Sequence, residues 1–159
     1  MKSKVFIDAN VIIDLFDSAR EHHKTSGEAI KLLIEQGTEL YTTCDLITTV
    51  YYVLAKRNRK KALEAIEKSM GIFKLIDFSN SEVLEAVKLV KEKEFKDLED
   101  TLQYLLAKKA GCTFILTRDT GFVSPDLKVI RPETVQLAYN SQAKKFSGGN
   151  SNDREGSGA

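Results

Sequence analysis

The sequence predicts an α/β/α sandwich, a central and mainly parallel sheet covered by helices on both faces, and three observations point there. Short apolar or β-branched runs of strand length alternate with longer stretches of helical periodicity. The most strand-like run, Thr113-Phe114-Ile115-Leu116-Thr117, follows directly on a helical stretch closed by a glycine. The chain of 159 residues, 42% hydrophobic and 30% charged, has the size and balance of one globular domain with a substantial core.

Lys4-Val5-Phe6-Ile7 ends at Asp8 and predicts a buried strand that carries an acid at its C-terminal end. Asn10 to Phe16 predicts a helix. A second helix covers about His23 to Glu35, with Ala29, Ile30, Leu32, Leu33 and Ile34 as apolar positions and Gly37 as C-terminal cap. Glu39-Leu40-Tyr41-Thr42 is a short second strand. Leu46 to Lys56 carries Leu46, Ile47, Val50, Val53 and Leu54 at helical spacing, and Asp45 stands where it can cap the first turn. A further helix covers Lys60 to Met70, followed by a third strand at Phe73-Lys74-Leu75-Ile76. Ser79 with Glu82 is a capping-box signature opening a helix over Glu82 to Lys93, whose inner stripe is Val83, Leu84, Val87 and Val90. Leu98 to Ala110 is helical and closed by Gly111. After the Thr113–Thr117 strand, Lys128-Val129-Ile130 adds an edge strand, and Pro132 suits the first turn of a last helix through about Tyr139.

Residues 1–142 therefore form the domain, and 143–159, rich in Ser, Gly and Asn, form a flexible tail with too little apolar surface to order itself. No apolar run reaches the roughly 18 residues that span a bilayer, and Met1-Lys2-Ser3-Lys4 leads straight into a strand, so a cytoplasmic, non-membrane protein is expected. Cys44 and Cys112 both lie in apolar stretches and are expected to be buried free thiols. A net charge of +1 excludes the strongly basic balance of many nucleic-acid binders, so any RNA affinity must be local. The dense candidate is Lys56, Arg57, Arg59, Lys60 and Lys61, which is either an RNA-phosphate contact or a solvated helix junction. Tyr51 and Tyr52 are candidates for base stacking or a partner face, with core packing expected for one of them; Phe122 is either a site residue or a hydrophobic plug.

In a parallel sheet, functional groups gather beyond the strand C-termini, where Asp8 and Asp119 are placed. Asp100 falls in the first turn of its helix, flanked by Asp97 and Glu99, where the helix dipole favours a carboxylate. Each acid alone reads equally as a cap or turn residue. Together they repel unless a divalent cation lies among them, and an all-oxygen set suits Mg²⁺ or Mn²⁺ rather than zinc, since His22 and His23 are adjacent and no cysteine cluster exists. Such a cation promotes phosphodiester hydrolysis.

Phe6-Ile7-Asp8-Ala9-Asn10-Val11-Ile12-Ile13-Asp14, Leu98-Glu99-Asp100-Thr101-Leu102-Gln103 and Leu116-Thr117-Arg118-Asp119 resemble, in order and spacing, the three acidic motifs of the PIN-domain family. The resemblance spans about residues 4 to 140 and is closest to the VapC-like ribonuclease toxins of prokaryotic toxin–antitoxin pairs. It implies metal-dependent RNA hydrolysis, frequent homodimerisation and a cognate antitoxin whose basic side chain meets the acidic groove. It makes Asp8, Asp100 and Asp119 the catalytic, metal-binding acids, with Asp97 a further candidate ligand and Asn10 and Thr117 supporting the ligand geometry. One departure is Thr49, which stands where many PIN domains carry a glutamate; Asp97 or Asp45 would compensate. That loss leaves a second expectation, a PIN-like RNA- or protein-binding module without turnover. A phosphatase-like domain with a nucleophilic aspartate is disfavoured, because Asp8-Ala9-Asn10 lacks the second aspartate two residues on.

Overall fold

The computed structural model describes residues 2–92 and 95–147. Its strands are β1 (Lys4–Ile7), β2 (Glu39–Thr43), β3 (Phe73–Ile76), β4 (Phe114–Leu116) and β5 (Lys128–Ile130). Its helices are α1 (Ala9–Phe16), α2 (His23–Glu35), α3 (Cys44–Ala55), α4 (Arg59–Ile72), α5 (Asn80–Lys91), α6 (Leu98–Lys109) and α7 (Pro132–Ser147). The strands form a five-stranded sheet in the order β3-β2-β1-β4-β5, and all four pairings are parallel. The expected "mainly parallel" sheet is thus parallel throughout among the described residues.

β1 lies at the centre, with Val5, Phe6 and Ile7 fully buried, which is why its run lacks the alternation of a half-exposed strand. The chain moves outward from β1 through β2 to β3, then crosses back to place β4 on the other side of β1. With right-handed crossovers, that reversal puts α1 to α4 on one face and α5 and α6 on the other. Helix contacts agree: α1 meets α2 and α3, α3 meets α4, and α5 meets α6.

The helix ends show how local chemistry times the return to the sheet. Gly37 and Gly111 have φ of 75° and 78°, a left-handed backbone that only glycine adopts freely. After α2, the Gly37 and Thr38 N–H groups donate to the Ile34 and Leu33 carbonyls at 2.9 and 3.0 Å. After α6, Gly111 and Cys112 donate to Lys108 and Ala107 at 3.1 and 3.0 Å, the same double closure. At α5, the Glu82 carboxylate accepts from the Ser79 backbone N–H at 2.9 Å, as its spacing predicts.

Several expectations need revision, among them the inner stripe of α5, where Leu84 is 67% exposed and Ala86 is the buried residue. The third helix begins at Cys44, so Thr43 occupies the cap position and Asp45 sits inside the first turn. Cys44 is exposed, because it opens that helix on the solvent side, whereas Cys112 is buried and burial pushes its thiol up to about 11. The fourth helix and α5 both begin ahead of their expected first residues, at Arg59 and Asn80; the expected end of α5 at Lys93 lies outside the described residues. The last helix passes Tyr139 and runs to Ser147, so residues 143–147 are helical, while 148–159 lie outside the described residues. No glycine or proline interrupts the chain between Pro132 and Gly148, and α7 has α2 to pack against. No helix among the described residues is long and apolar enough to cross a membrane.

Candidate active site

The reversal in strand order opens a crevice between the C-terminal ends of β1 and β4, and this is where open α/β sheets place their ligands. Asp8 follows β1 directly, Asp119 follows β4 by three residues, and Asp100 lies in the first turn of α6, the helix that feeds β4. Asp8 forms the floor at 7% exposure, whereas Asp119 is exposed and Asp100 is half-buried.

Asp8 is held by three donors. Its Oδ1 accepts from the Ala9 N–H at 2.7 Å, and its Oδ2 accepts from the Thr117 hydroxyl at 2.7 Å and the Asn10 amide at 3.2 Å. The buried Thr117 oxygen in turn accepts from the Asp119 N–H at 3.0 Å and from the Asn10 amide at 3.2 Å. Asn10 also accepts from the Arg118 N–H at 3.2 Å. Asn10 and Thr117 therefore couple the ends of β1 and β4, so the orientation of Asp8 and the path of the chain into Asp119 are set together. The Gly121 N–H donates to Asp119 Oδ1 at 2.8 Å, and that oxygen would lie 3.3 Å from a Cβ at position 121.

The electrostatics of the crevice are those of crowded carboxylates. Burial raises the Asp8 carboxyl above its usual range, and Asp119 adds repulsion that three hydrogen bonds only partly offset. Asp100 is pushed up to about 6, first by burial and then by the charges of Asp97, Asp119, Asp8 and Glu99. Glu99 is raised too, by burial and by Asp8, Asp97 and Asp45. Asp97 is the N-cap of α6, its Oδ1 accepting from the Asp100 N–H at 2.9 Å.

Glu99 is legible only as a flank of Asp100, and Asp45 as a helix cap and a substitute for the acid missing at Thr49; both join this field. The available signal was spacing: Glu99 and Gln103 stand one helical turn apart, and Gln103 is a polar residue in an otherwise apolar stretch that proves to be only 2% exposed. Among the described residues no three Asp, Glu, His or Cys side chains already form a cluster able to hold a metal ion. The donor chemistry still fits a hard cation, because Mg²⁺ retains several waters and needs only one or two direct carboxylates. Buried oxygens without partners, Asp45 Oδ1, Thr43 Oγ1 and Gln103 Oε1, mark the same region as short of positive charge or donors.

Other candidates lie elsewhere. Thr49 is exposed, and its hydroxyl donates to the Asp45 carbonyl at 3.1 Å, inside its own helix. Lys56, Arg57, Arg59, Lys60 and Lys61 cluster where α3 ends and α4 begins, about 18 Å along α3 from its start near the acids. Arg57 there meets Asp17, the residue that ends α1, at 3.4 Å. Tyr51 is half-buried against the core and Tyr52 is 68% exposed, their rings edge to face at 5.6 Å. Phe122 is buried, as a plug beneath the loop rather than a free face.

The chain is similar to known proteins in sequence and in fold. A family model described as PIN domain matches residues 5–127, a span that contains all three acids. The chain is 52% identical over 139 residues to Ribonuclease VapC1 of Aquifex aeolicus, covering 87% of this chain and 96% of that protein. In fold it resembles the Mycobacterium tuberculosis toxin VapC20, described as cleaving the sarcin-ricin loop, with TM-score 0.61 and 16% identity over 74% of this chain and 92% of that one. The VapBC2 structure from Rickettsia felis, bound to a promoter DNA fragment, matches with TM-score 0.62 and 13% identity over 80% and 98% of the two chains. A Pyrobaculum aerophilum structure matches with TM-score 0.62 and 15% identity over 89% and 98%. With strand-end acids, sheet order and family match coinciding over the same residues, the chain belongs to the PIN-domain family.

Proposed function

We propose that this chain is a divalent-metal-dependent ribonuclease, the toxin of a toxin–antitoxin pair, which hydrolyses RNA phosphodiester bonds with Asp8, Asp100 and Asp119 as its metal-holding acids. The observation that supports the reading is the placement of these carboxylates around the sheet's switch point, where the charge of Asp119 adds to the burial that raises Asp8, and the charges of Asp119 and Asp8 add to the burial that raises Asp100. The identity to a ribonuclease over nearly the whole relative supports the substrate class.

Bound Mg²⁺ or Mn²⁺ supplies a water of lowered pKa and neutralises charge on the phosphoryl group under attack. The chain's own part is orientation. Asp8 is pinned by Ala9, Asn10 and Thr117, so its oxygens keep a fixed direction at the floor of the crevice. Asp119 takes its direction from the Gly121 N–H. Asp97, as the cap of α6, fixes the first turn that carries Asp100. The exposed rim formed by Asp119, Asp97 and Glu99 leaves the crevice open to a long polymer. The same acids suit a basic side chain of a cognate antitoxin, which would close the groove by charge pairing. The Lys56–Lys61 run would meet RNA phosphates well away from the scissile bond, and Tyr52 offers an exposed ring to RNA or a second copy of the chain.

Purified protein with Mn²⁺ should degrade RNA, and EDTA should stop it; cleavage indifferent to EDTA would defeat the reading. One observation favours a second reading, a binding module without turnover: Thr49 offers no carboxylate and turns its hydroxyl back onto its own helix. That module would bind RNA or a partner protein with no cleavage under any divalent metal.

A pH test follows from Asp100. Its folded value of about 6 against an ordinary 3.8 means that the folded, metal-free protein holds an extra proton between those values. This group therefore favours folding at low pH, and its contribution is lost as pH rises through about 6. Mn²⁺ uptake near pH 5.5 should accordingly release protons, with less release at pH 7.5. Calorimetric titration in two buffers of different ionisation enthalpy measures this, and equal heats in both at pH 5.5 would count against metal ligation by Asp100.

A further inference from the structure

We propose that Arg118, clamped by Asp14, is a positioning residue for Asp119: it fixes the direction in which the exposed loop after β4 presents that acid to the crevice. The inference rests on the metal-dependent reading above and adds two residues that lie outside its acid set.

Asp119 needs such a device. It stands exposed between β4 and β5, where neither helix nor strand holds the backbone. A carboxylate that serves as a metal ligand has to keep its place to within about 0.5 Å. Two local bonds contribute, from the Asp119 N–H to the Thr117 hydroxyl at 3.0 Å and from the Gly121 N–H to Asp119 Oδ1 at 2.8 Å. Both act within two residues of Asp119, so the tie to the body of the fold runs through its neighbours.

Residue 118 supplies that tie from two sides. Asn10 and Asp14 stand about one turn apart on the same side of α1. Asn10 Oδ1 accepts from the Arg118 backbone N–H at 3.2 Å, and Asp14 Oδ2 accepts from Arg118 Nε at 2.8 Å. The helix therefore grips one residue by main chain and by side chain, and the same Asn10 amide reaches Asp8 Oδ2 at 3.2 Å. The rest of the guanidinium is engaged as well: Nη1 donates to Glu133 of α7, and Nη2 to Thr25 and Ser26 of α2. A planar fork bonded through all three nitrogens has one orientation, which lysine, a point donor on a flexible stem, does not reproduce. The Arg118 side chain is 9% exposed and that of Asp14 1%, so water has little access to these bonds. A clamp built for stability alone could stand anywhere in the core. This one lies between Thr117 and Asp119 and shares its helix with Asn10, the partner of Asp8.

The test sets Mn²⁺ affinity, read without RNA from the electron paramagnetic resonance of the free ion, beside kcat and KM for RNA cleavage, each below the variant's melting temperature. The variants are Arg118→Lys, the pair Asp14→Leu with Arg118→Met, and Leu33→Ala. Leu33 is buried beside Phe114, at the other end of β4 from Asp119, and controls for lost stability. The paired substitution strands no buried charge between its two positions, so it should regain part of the stability that Arg118→Met loses. It should nevertheless weaken Mn²⁺ by about tenfold and lower kcat by about 10- to 100-fold, with KM for RNA unchanged. Arg118→Lys should fall between that pair and the parent, and Leu33→Ala should keep parental affinity and kcat. Parental values in either Arg118 variant, or equal losses in Leu33→Ala, would reduce Arg118 to a strut and overturn the proposal. A change in KM with kcat intact would overturn it too, by making Arg118 an RNA contact. A parent that takes up no Mn²⁺ would sink the metal-dependent reading and this role together, whereas the other failures leave that reading standing.

Discussion

Asp8→Asn should remove metal-dependent RNA cleavage almost completely while leaving the fold in place. Metal-borne charge stabilisation is worth several kcal/mol in a hydrolytic transition state, and each tenfold in rate is about 1.4 kcal/mol, so a loss of about 100-fold or more in kcat/KM is expected. The fold should survive because asparagine has the shape of aspartate and can still accept from the Ala9 N–H, while its new amide can face the Thr117 oxygen. Removing the charge also relieves a real cost: burial and the neighbouring Asp119 already disfavour the ionised form of Asp8. A melting temperature within about 3 °C of the parent is expected, the scale of a 1 kcal/mol change in a domain of this size. Single-turnover cleavage with saturating Mn²⁺, alongside a circular-dichroism melt, checks both halves. Retention of more than about a tenth of the activity would remove Asp8 from the site.

Much of the architecture was legible because it is written locally. Gly37 and Gly111 announce helix ends through the one backbone conformation they alone accept readily, and Ser79 with Glu82 announces a helix start. The continuous apolar run of β1 announces a strand buried on both faces, and with it the placement of Asp8 at a strand end. What remained hidden depends on distant partners. Thr43 looks like an ordinary strand residue until β2 is laid beside β1, and Glu99 looks like a surface acid until α3 brings Asp45 near it. The basic run from Lys56 to Lys61 reads as either an RNA contact or a solvated helix junction, and sequence does not show how far α3 carries it from the acids. Cys44 was misplaced by its apolar surroundings, since the first position of a helix can face solvent whatever follows it.

Arg118 is the largest of these hidden features, and Arg118→Met should destabilise the protein by about 3–5 kcal/mol, the range for breaking a buried ion pair from one side. The Arg118 side chain is 9% exposed and that of Asp14 is 1% exposed. Arg118 Nε donates to Asp14 Oδ2 at 2.8 Å, and its Nη atoms donate to Glu133 at 2.5 Å and to Thr25 and Ser26 at 2.9 and 2.8 Å. One side chain thus ties the end of β4 to α1, α2 and α7. Methionine fills comparable space but leaves Asp14 with Arg20 and Ser26 alone, at 2.7 and 2.9 Å. A fall in melting temperature on the order of 10 °C corresponds to that loss. Replacing Asp14 by leucine as well should recover part of it, because no buried charge is then stranded. Asp14 also sets the pH window. Burial acts to raise its carboxyl, but the hydrogen bonds from Arg20, Ser26 and Arg118 outweigh that and hold it below its ordinary 3.8. Its stabilising contribution is therefore complete above the unfolded value and is lost as pH falls through the lower folded one. Melting curves from pH 2 to pH 7 should show the gap between parent and Arg118→Met narrowing only at the acid end; a gap that is constant with pH would mean that Arg118 acts by packing rather than by charge.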